Sequence, residues 1–97
     1  MTVMVLFEAR AKPELIEALK QGLQAMLPET RTCEGCQGLT TYQEVGDGQT
    51  LVAVEFWDSK EHYEKYFAWR KENGTITQLN AMLEAPPSIR YFETLDA

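Results

Sequence analysis

Apolar and polar residues alternate in four segments of the chain, and longer segments between them repeat their apolar residues every three to four positions. A period of two is typical of strands, whereas the longer period is typical of helices that bury one side. The predicted strands are residues 2–10, 39–45, 50–57 and 88–95. The predicted helices are residues 13–28, a long segment that begins within a residue of Trp57 and ends before Gly74, and residues 75–83.

Several residues mark where these elements begin and end. Pro13 suits the first turn of a helix, where its missing N–H is not needed. Asp58 is the expected N-cap of the long helix, with Glu61 as its partner in a capping box. Residues 46–48 (Gly-Asp-Gly) form a turn that makes the second and third strands a hairpin. Pro86 and the proline after it end the last helix.

The order β-α-β-β-α-β predicts an α+β protein with a ferredoxin-like antiparallel sheet and both main helices on one face. The third strand is apolar on both faces, because Val52, Val54 and Phe56 alternate with Leu51 and Trp57. A strand of this kind is expected where both faces of a sheet are buried. We therefore expect residues 1–97 to form one domain that pairs sheet against sheet with a second copy in a homodimer.

The charge of the chain excludes some partners. The 97 residues carry 9 Lys plus Arg against 15 Asp plus Glu, a net charge of −6, and the cations are spread along the sequence. Binding to nucleic acid or to an anionic membrane requires clustered cations, so neither is expected. The apolar run at the N-terminus lacks the features of a signal peptide or a membrane span, which favours a cytoplasmic protein.

The segment VEFWDSKEHYEKYFAWR, preceded by TRTCEGCQGLTTYQE and followed by APPSIRYFE, resembles the antibiotic biosynthesis monooxygenase (ABM) domain family over nearly the whole chain. The resemblance implies a homodimeric α+β barrel. It also implies oxidation of a small aromatic quinol or polycyclic hydroxy-aromatic by O2, with no metal, flavin or haem as cofactor. In the haem-degrading branch of the family, the ligating histidine would fall at Ile76 and the functional tryptophan at Tyr66. Haem degradation is therefore disfavoured.

A pocket is expected between the sheet and the long helix, which carries an aromatic stripe. His62 is a candidate base, since a histidine titrates near neutrality, and Tyr66 or Arg70 are candidates to stabilise an oxyanion. The candidate substrate-binding residues are Tyr42, Trp57, Tyr63, Phe67 and Trp69. The structural alternatives are packing for the aromatic residues, an exposed position for His62, and an ion pair with Glu55 or Glu8 for Arg70.

Three further residues bear on the chemistry. Glu55 shares the parity of Trp57 and is a second candidate base, although a solvated hairpin edge is the commoner reason for a glutamate in a strand. Cys33 and Cys36 lie in a predicted loop, residues 29–38, where two reduced thiols are favoured over a redox or metal site.

Two other functions remain open. A non-catalytic dimer that binds a small ligand or is associated with stress would have the cavity without a titratable group near its centre. A purely structural module would have no cavity above about 300 Å³.

Overall fold

Four strands and three α-helices follow the predicted order in the computed structural model, which describes residues 2–95. The strands are β1 (Val3–Arg10), β2 (Cys36–Gln43), β3 (Thr50–Trp57) and β4 (Ser88–Glu93). The helices are α1 (Ile16–Thr30), preceded by a short 3-10 turn (Pro13–Leu15), α2 (Lys60–Glu72) and α3 (Thr75–Asn80).

The strands form one antiparallel sheet in the order β2-β3-β1-β4. The register places Val5 of β1 opposite Glu55 on β3 and Tyr91 on β4. This order with two long helices after β1 and β3 is the ferredoxin-like arrangement, so the predicted α+β class is confirmed.

The core lies between the helices and one face of the sheet. Every second residue of β3, from Leu51 to Trp57, is buried on this face. One cluster of buried side chains joins Leu51 to Leu19 of α1 and Leu79 of α3, and a second joins Trp57 to Val5 and Tyr63. Because side chains of a strand alternate, this pattern also brings Glu55 to the helix-covered face.

The opposite face of the sheet is apolar and is not covered by any helix in residues 2–95. Phe56 is 44% exposed there, Phe92 is exposed as well, and the neighbouring Val52 and Val54 are only half-buried. An apolar face of this kind is the feature from which the sequence predicted a second copy. The homodimer stays a prediction, because the structure describes one chain.

Several predicted boundaries were wrong by a few residues. Helix α1 does not end at Pro28 but continues to Thr30, because the proline removes only its own N–H bond, and the Arg31 N–H still donates to the Leu27 carbonyl at 3.0 Å. Strand β2 begins at Cys36, within the predicted loop, and an irregularity between Cys36 and Gly38 keeps it paired with β3.

The last part of the chain also differs in its boundaries. Helix α3 ends at Asn80, because Leu83 leaves the helix to pair with Ala11 in an isolated bridge. Strand β4 ends at Glu93 and not at residue 95. The turn was predicted correctly, since Gly46 and Gly48 have φ angles of 110° and 67°.

Candidate active site

A small cavity lies between the sheet and the helices, at the place where the sequence predicted a pocket. Its volume is about 30 Å³, which is room for no more than a few water molecules. Strand β3 contributes Glu55, and α2 contributes Tyr63, Tyr66 and Phe67, while the remaining walls are almost entirely apolar. A carboxyl group in an apolar space of this size is unusual, because burial penalises its charge.

Glu55 is 6% exposed, and it has no ion-pair partner among residues 2–95. The indole Nε1 of Trp57 donates a hydrogen bond of 3.0 Å to its Oε1 atom. Burial raises the pKa of Glu55 from 4.5 to about 7, and the bond from Trp57 offsets this rise only in part. The carboxyl group can therefore gain and lose a proton near neutral pH, as a general base requires.

Three aromatic rings surround this carboxyl group. The ring centroids of Trp57 and Tyr63 lie 5.6 Å apart in an edge-on arrangement, and those of Trp57 and Tyr66 lie 5.1 Å apart. Burial raises the pKa of both tyrosines, so both remain protonated at neutral pH. The aromatic members of the predicted α2 stripe, Tyr63, Tyr66 and Phe67, thus face the sheet and shield Glu55 from bulk water, whereas His62 and Arg70, predicted in the same stripe, do not face the sheet.

Arg70 connects α2 to the end of α1. Its guanidinium group, in a residue that is 3% exposed, donates to Glu29 Oε1 at 3.0 Å and, at 3.1 Å each, to the Met26 carbonyl and Thr30 Oγ1. Its Nε atom also donates to the hydroxyl of Tyr66 at 3.1 Å, and that hydroxyl is 2.8 Å from Thr30 Oγ1. Arg70 therefore holds Tyr66 in place, and each of its three side-chain nitrogen atoms donates to a protein atom.

The structural alternative for Arg70, an ion pair, named the wrong partner. The sequence placed this partner on a strand, at Glu55 or Glu8, but the structure pairs Arg70 with Glu29 of α1. The reason is the direction of α2, which points the long Arg70 side chain at the C-terminal turn of α1 and not at the sheet. The charge of Glu55 is consequently left without compensation by Arg70.

His62 lies at the start of α2, outside the cavity. The N-cap is Ser59 and not Asp58, so His62, and not Glu61, occupies the third helical position. Its backbone N–H donates to Ser59 Oγ at 3.1 Å, and its Nδ1 atom is 2.7 Å from the same oxygen. The Ser59 hydroxyl thus caps the helix, and the imidazole that contacts it lines an outer cleft of about 160 Å³ with Cys33.

A glycine lets the loop before β2 pack against this histidine. Gly35 has a φ angle of +88°, and a methyl group on its Cα would come within 2.5 Å of the His62 side chain. The carbonyl of Gly35 also accepts a 2.8 Å hydrogen bond from the N–H of Asp58. The contacts of Gly35 with His62 and Asp58 therefore fix the start of α2 against the loop before β2.

The other predicted site residues are divided between the cavity and the surface. Phe67 lines the cavity. Trp57 does not line it but donates its indole hydrogen bond to Glu55, which does. Tyr42 is 54% exposed and has the parity of the open sheet face, while Trp69 is exposed beside the outer cleft and stacks against the Arg70 guanidinium at 4.6 Å. The structure thus gathers Trp57, Tyr63, Tyr66 and Phe67 around Glu55.

The two cysteines are free thiols, both half-buried. Burial raises the pKa of both, which disfavours the thiolate that redox chemistry or metal binding needs. Among residues 2–95, no group of three or more His, Cys, Asp or Glu side chains is placed to hold a metal ion.

The fold and the interior aromatic cavity define a class of small α+β proteins with a ferredoxin-like sheet. The sequence model of the family described as antibiotic biosynthesis monooxygenase matches residues 2–71. The chain belongs to this family. A search of the curated proteins finds no match. Within residues 2–95, no helix has the length and apolar character needed to cross a membrane.

Solved structures with the same fold cover almost the whole chain. A conserved protein from Methanosarcina mazei Go1 has a TM-score of 0.88 at 19% identity, covering 98% of this chain and 94% of its own. Rv0793 from Mycobacterium tuberculosis has a TM-score of 0.86 at 25% identity, covering 100% and 98%. A structure described as an antibiotic biosynthesis monooxygenase has a TM-score of 0.86 at 16% identity, covering 96% and 98%.

Proposed function

We propose that the protein is a cofactor-independent monooxygenase that oxidises a small aromatic quinol or a polycyclic hydroxy-aromatic with O2. The observation that carries this proposal is the carboxyl group of Glu55, buried without a cation in an aromatic cavity and titrating at about 7. A base with this pKa is suited to take the proton of a phenolic hydroxyl group at neutral pH. Membership of the monooxygenase family supports the same reaction class.

We assign the role of base to Glu55 instead of His62. The imidazole of His62 is hydrogen-bonded to the Ser59 hydroxyl and lines the outer cleft, whereas Glu55 lines the cavity that the aromatic side chains enclose. Geometry decides between two candidate bases before pKa does, because the base must reach the substrate proton.

In the proposed reaction, a quinol gives the proton of one hydroxyl group to Glu55, and the resulting phenolate reacts with O2 at a ring carbon. One oxygen atom replaces a ring hydrogen as a hydroxyl group, and the other leaves as water. Quinol plus O2 thus gives hydroxyquinone plus water, and the substrate supplies all the electrons that O2 accepts. Glu55 returns its proton to the oxygen atom that leaves.

The neighbouring side chains have supporting roles in this proposal. Trp57 orients the carboxylate through its hydrogen bond, and Tyr63 and Tyr66 provide aromatic surfaces and keep water away from the anion. Arg70 is a positioning residue, since it holds the hydroxyl of Tyr66 and is itself bound to α1.

We also propose that the protein acts as a cytoplasmic homodimer. The apolar sheet face around Phe56 and Phe92 supports a second copy as its cover, and the two free thiols are in keeping with a reducing compartment. Sedimentation equilibrium should give twice the chain mass of 11.1 kDa, and Phe56→Glu should shift the mass towards that of one chain. A monomeric wild-type protein at micromolar concentration would overturn this proposal.

A second candidate function is a non-catalytic dimer that binds a small ligand. The observation that favours it is a surface groove of about 470 Å³ between α2 and β4, which is large enough for a ligand and is not lined by Glu55, whereas the cavity beside Glu55, at about 30 Å³, is far below the roughly 300 Å³ at which ligand pockets begin. Under this alternative, Glu55 would serve only the packing around Trp57.

Oxygen uptake separates the two functions. The rate is measured with a panel of reduced quinols and hydroxyanthrones, without added metal or flavin, and the autoxidation rate without protein is subtracted. We expect uptake above this background for wild type and for the surface control Glu72→Gln, and uptake equal to background for Glu55→Gln. Background rates for wild type across the whole panel would instead favour the ligand-binding dimer.

A further inference from the structure

A second space, much larger than the cavity, lies on the surface between α2 and the edge strand β4. This groove has a volume of about 470 Å³, within the usual range of ligand sites. Its walls are mainly apolar and aromatic, with Tyr63, Phe67 and Ala68 on α2 and Ile89 and Tyr91 on β4. A planar aromatic molecule of two or three rings fits a groove of this size and character, whereas the cavity beside Glu55 is too small for one.

The groove and the cavity share a wall of two side chains, Tyr63 and Phe67. Tyr63 is 2% exposed and is held by three rings, those of Trp57, Tyr66 and Tyr91, besides its contact with Phe67. Phe67 is half-buried and makes its one ring contact within residues 2–95 with Tyr63, at 6.0 Å between centroids. Phe67 is therefore the side chain in this wall that can change rotamer at the lower cost.

The charged side chains at the groove favour an acidic ligand. Lys71 and Glu64 line the groove, as its one cation and one anion among residues 2–95, and the ammonium group of Lys60, just outside the lining, lies 4.8 Å from the ring centroid of Tyr91. The extra positive charge therefore comes from Lys60 at the Tyr91 end of the groove, and it is local, because the whole chain carries a net charge of −6. An acidic phenol or hydroxyquinone is complementary to such a site.

Another approach to the cavity exists on the opposite side, between α1 and β2. The cleft there has a volume of about 180 Å³, and Leu23 is the side chain that lines both this cleft and the cavity. Its other walls include the polar side chains of Lys20, Gln24 and Gln43. Leu23 also packs against the cluster of buried residues around Leu19, so its displacement would disturb the core.

We propose that the α2–β4 groove is the docking site of a planar, acidic hydroxy-aromatic substrate and that Phe67 is the gate between this groove and Glu55. The inference rests on the proposed function, because it supplies the route by which an aromatic hydroxyl group reaches the base. The groove binds the rings of the substrate, and rotation of Phe67 joins groove and cavity into one site.

Acrylamide quenching of Trp57 fluorescence tests the gate without any catalysis. Trp57 is fully buried and contacts Tyr63, and a Trp69→Phe background makes it the one tryptophan that emits. We expect Phe67→Ala to raise the quenching constant severalfold and the matched truncation Leu23→Ala to raise it less. An equal or larger increase in Leu23→Ala would overturn the gate, as would unchanged quenching in Phe67→Ala.

Two controls keep this result interpretable. Far-ultraviolet circular dichroism and a urea titration show whether each variant is folded at the temperature of the experiment. Phe67→Leu removes less volume and replaces Phe67→Ala if the latter unfolds, with the same expected direction and a smaller increase.

Docking in the groove is tested with 2-hydroxy-1,4-naphthoquinone, a planar acidic probe, by calorimetric titration. We expect Ile89→Ala, in the groove, to weaken binding severalfold and Gln24→Ala, in the α1–β2 cleft, to leave it unchanged. The absence of binding, or a loss of affinity in Gln24→Ala alone, would overturn the docking site. If the protein passes both tests but consumes no O2, the proposed reaction is refuted, whereas the docking site and the gate are not.

Discussion

The carboxyl group of Glu55 should make the stability of the protein fall as the pH rises towards neutrality. In the unfolded chain this group ionises around 4.5, but in the folded protein its pKa is about 7. Between these two values the folded state keeps a proton that the unfolded state has lost. The stabilisation from the neutral, buried carboxyl group is therefore complete below about 4.5 and is lost as the pH rises through about 7.

The magnitude follows from the difference between the two pKa values. A rise from 4.5 to about 7 corresponds to roughly 3 kcal/mol of unfolding free energy, since each pKa unit is worth about 1.36 kcal/mol. Glu55→Gln keeps an acceptor oxygen for the Trp57 indole but cannot ionise. The free energy of unfolding of Glu55→Gln minus that of wild type should thus increase by roughly 3 kcal/mol from pH 4.5 to pH 8.

Urea titrations at a series of pH values and at one fixed protein concentration measure this difference. The comparison between pH values matters more than either value alone, because the amide of glutamine adds a buried donor whose cost does not depend on pH. Glu72→Gln, on the exposed end of α2, serves as the control and should track wild type. A difference between Glu55→Gln and wild type that stays constant from pH 4.5 to pH 8 would refute the burial of an uncompensated carboxyl group.

Three further predictions concern the supports of the site, and each is measured as a free energy of unfolding in urea. Gly35→Ala should lower the free energy of unfolding by about 2 kcal/mol, because Gly35 has a positive φ and contacts His62. In a His62→Ala background the same substitution should cost less, whereas additive effects in the double variant would contradict the contact. Arg70→Met should cost about 3 kcal/mol, and Arg70→Lys should restore only part, since lysine cannot reproduce the planar fork; full stability in Arg70→Met would refute the clamp between α1 and α2. Ser59→Ala should cost about 1 kcal/mol, because the Ser59 hydroxyl caps α2, whereas an unchanged midpoint of the urea titration would contradict this cap.

The sheet could be predicted from the sequence because its pattern is local. Strand β3 was predicted over its full length, Thr50–Trp57, since strict alternation follows a glycine turn. The same alternation placed Glu55 on the face of Trp57. It could not show whether a helix covers that position, and this depends on how α1 and α2 pack.

The helix-borne residues were harder to predict, because their positions depend on caps and on packing between helices. The N-cap is Ser59 and not the predicted Asp58, and His62, whose backbone N–H the Ser59 hydroxyl caps, lines the outer cleft. The partner of Arg70 lies on a helix distant in sequence, and no pattern within α2 indicates it. Glu55 was recognised as a candidate base only through its parity, the one signal that the sequence offers for its burial.

The rate of oxygen uptake as a function of pH, compared between wild type and Glu55→Gln, tests the role of Glu55 as the base most directly. With a quinol that wild type oxidises, we predict a rate above autoxidation that rises with pH through about 7, as Glu55 loses its proton. We predict that Glu55→Gln remains at the autoxidation rate at every pH. A Glu55→Gln protein that matches wild type across the pH range would contradict the assignment of Glu55 as the base.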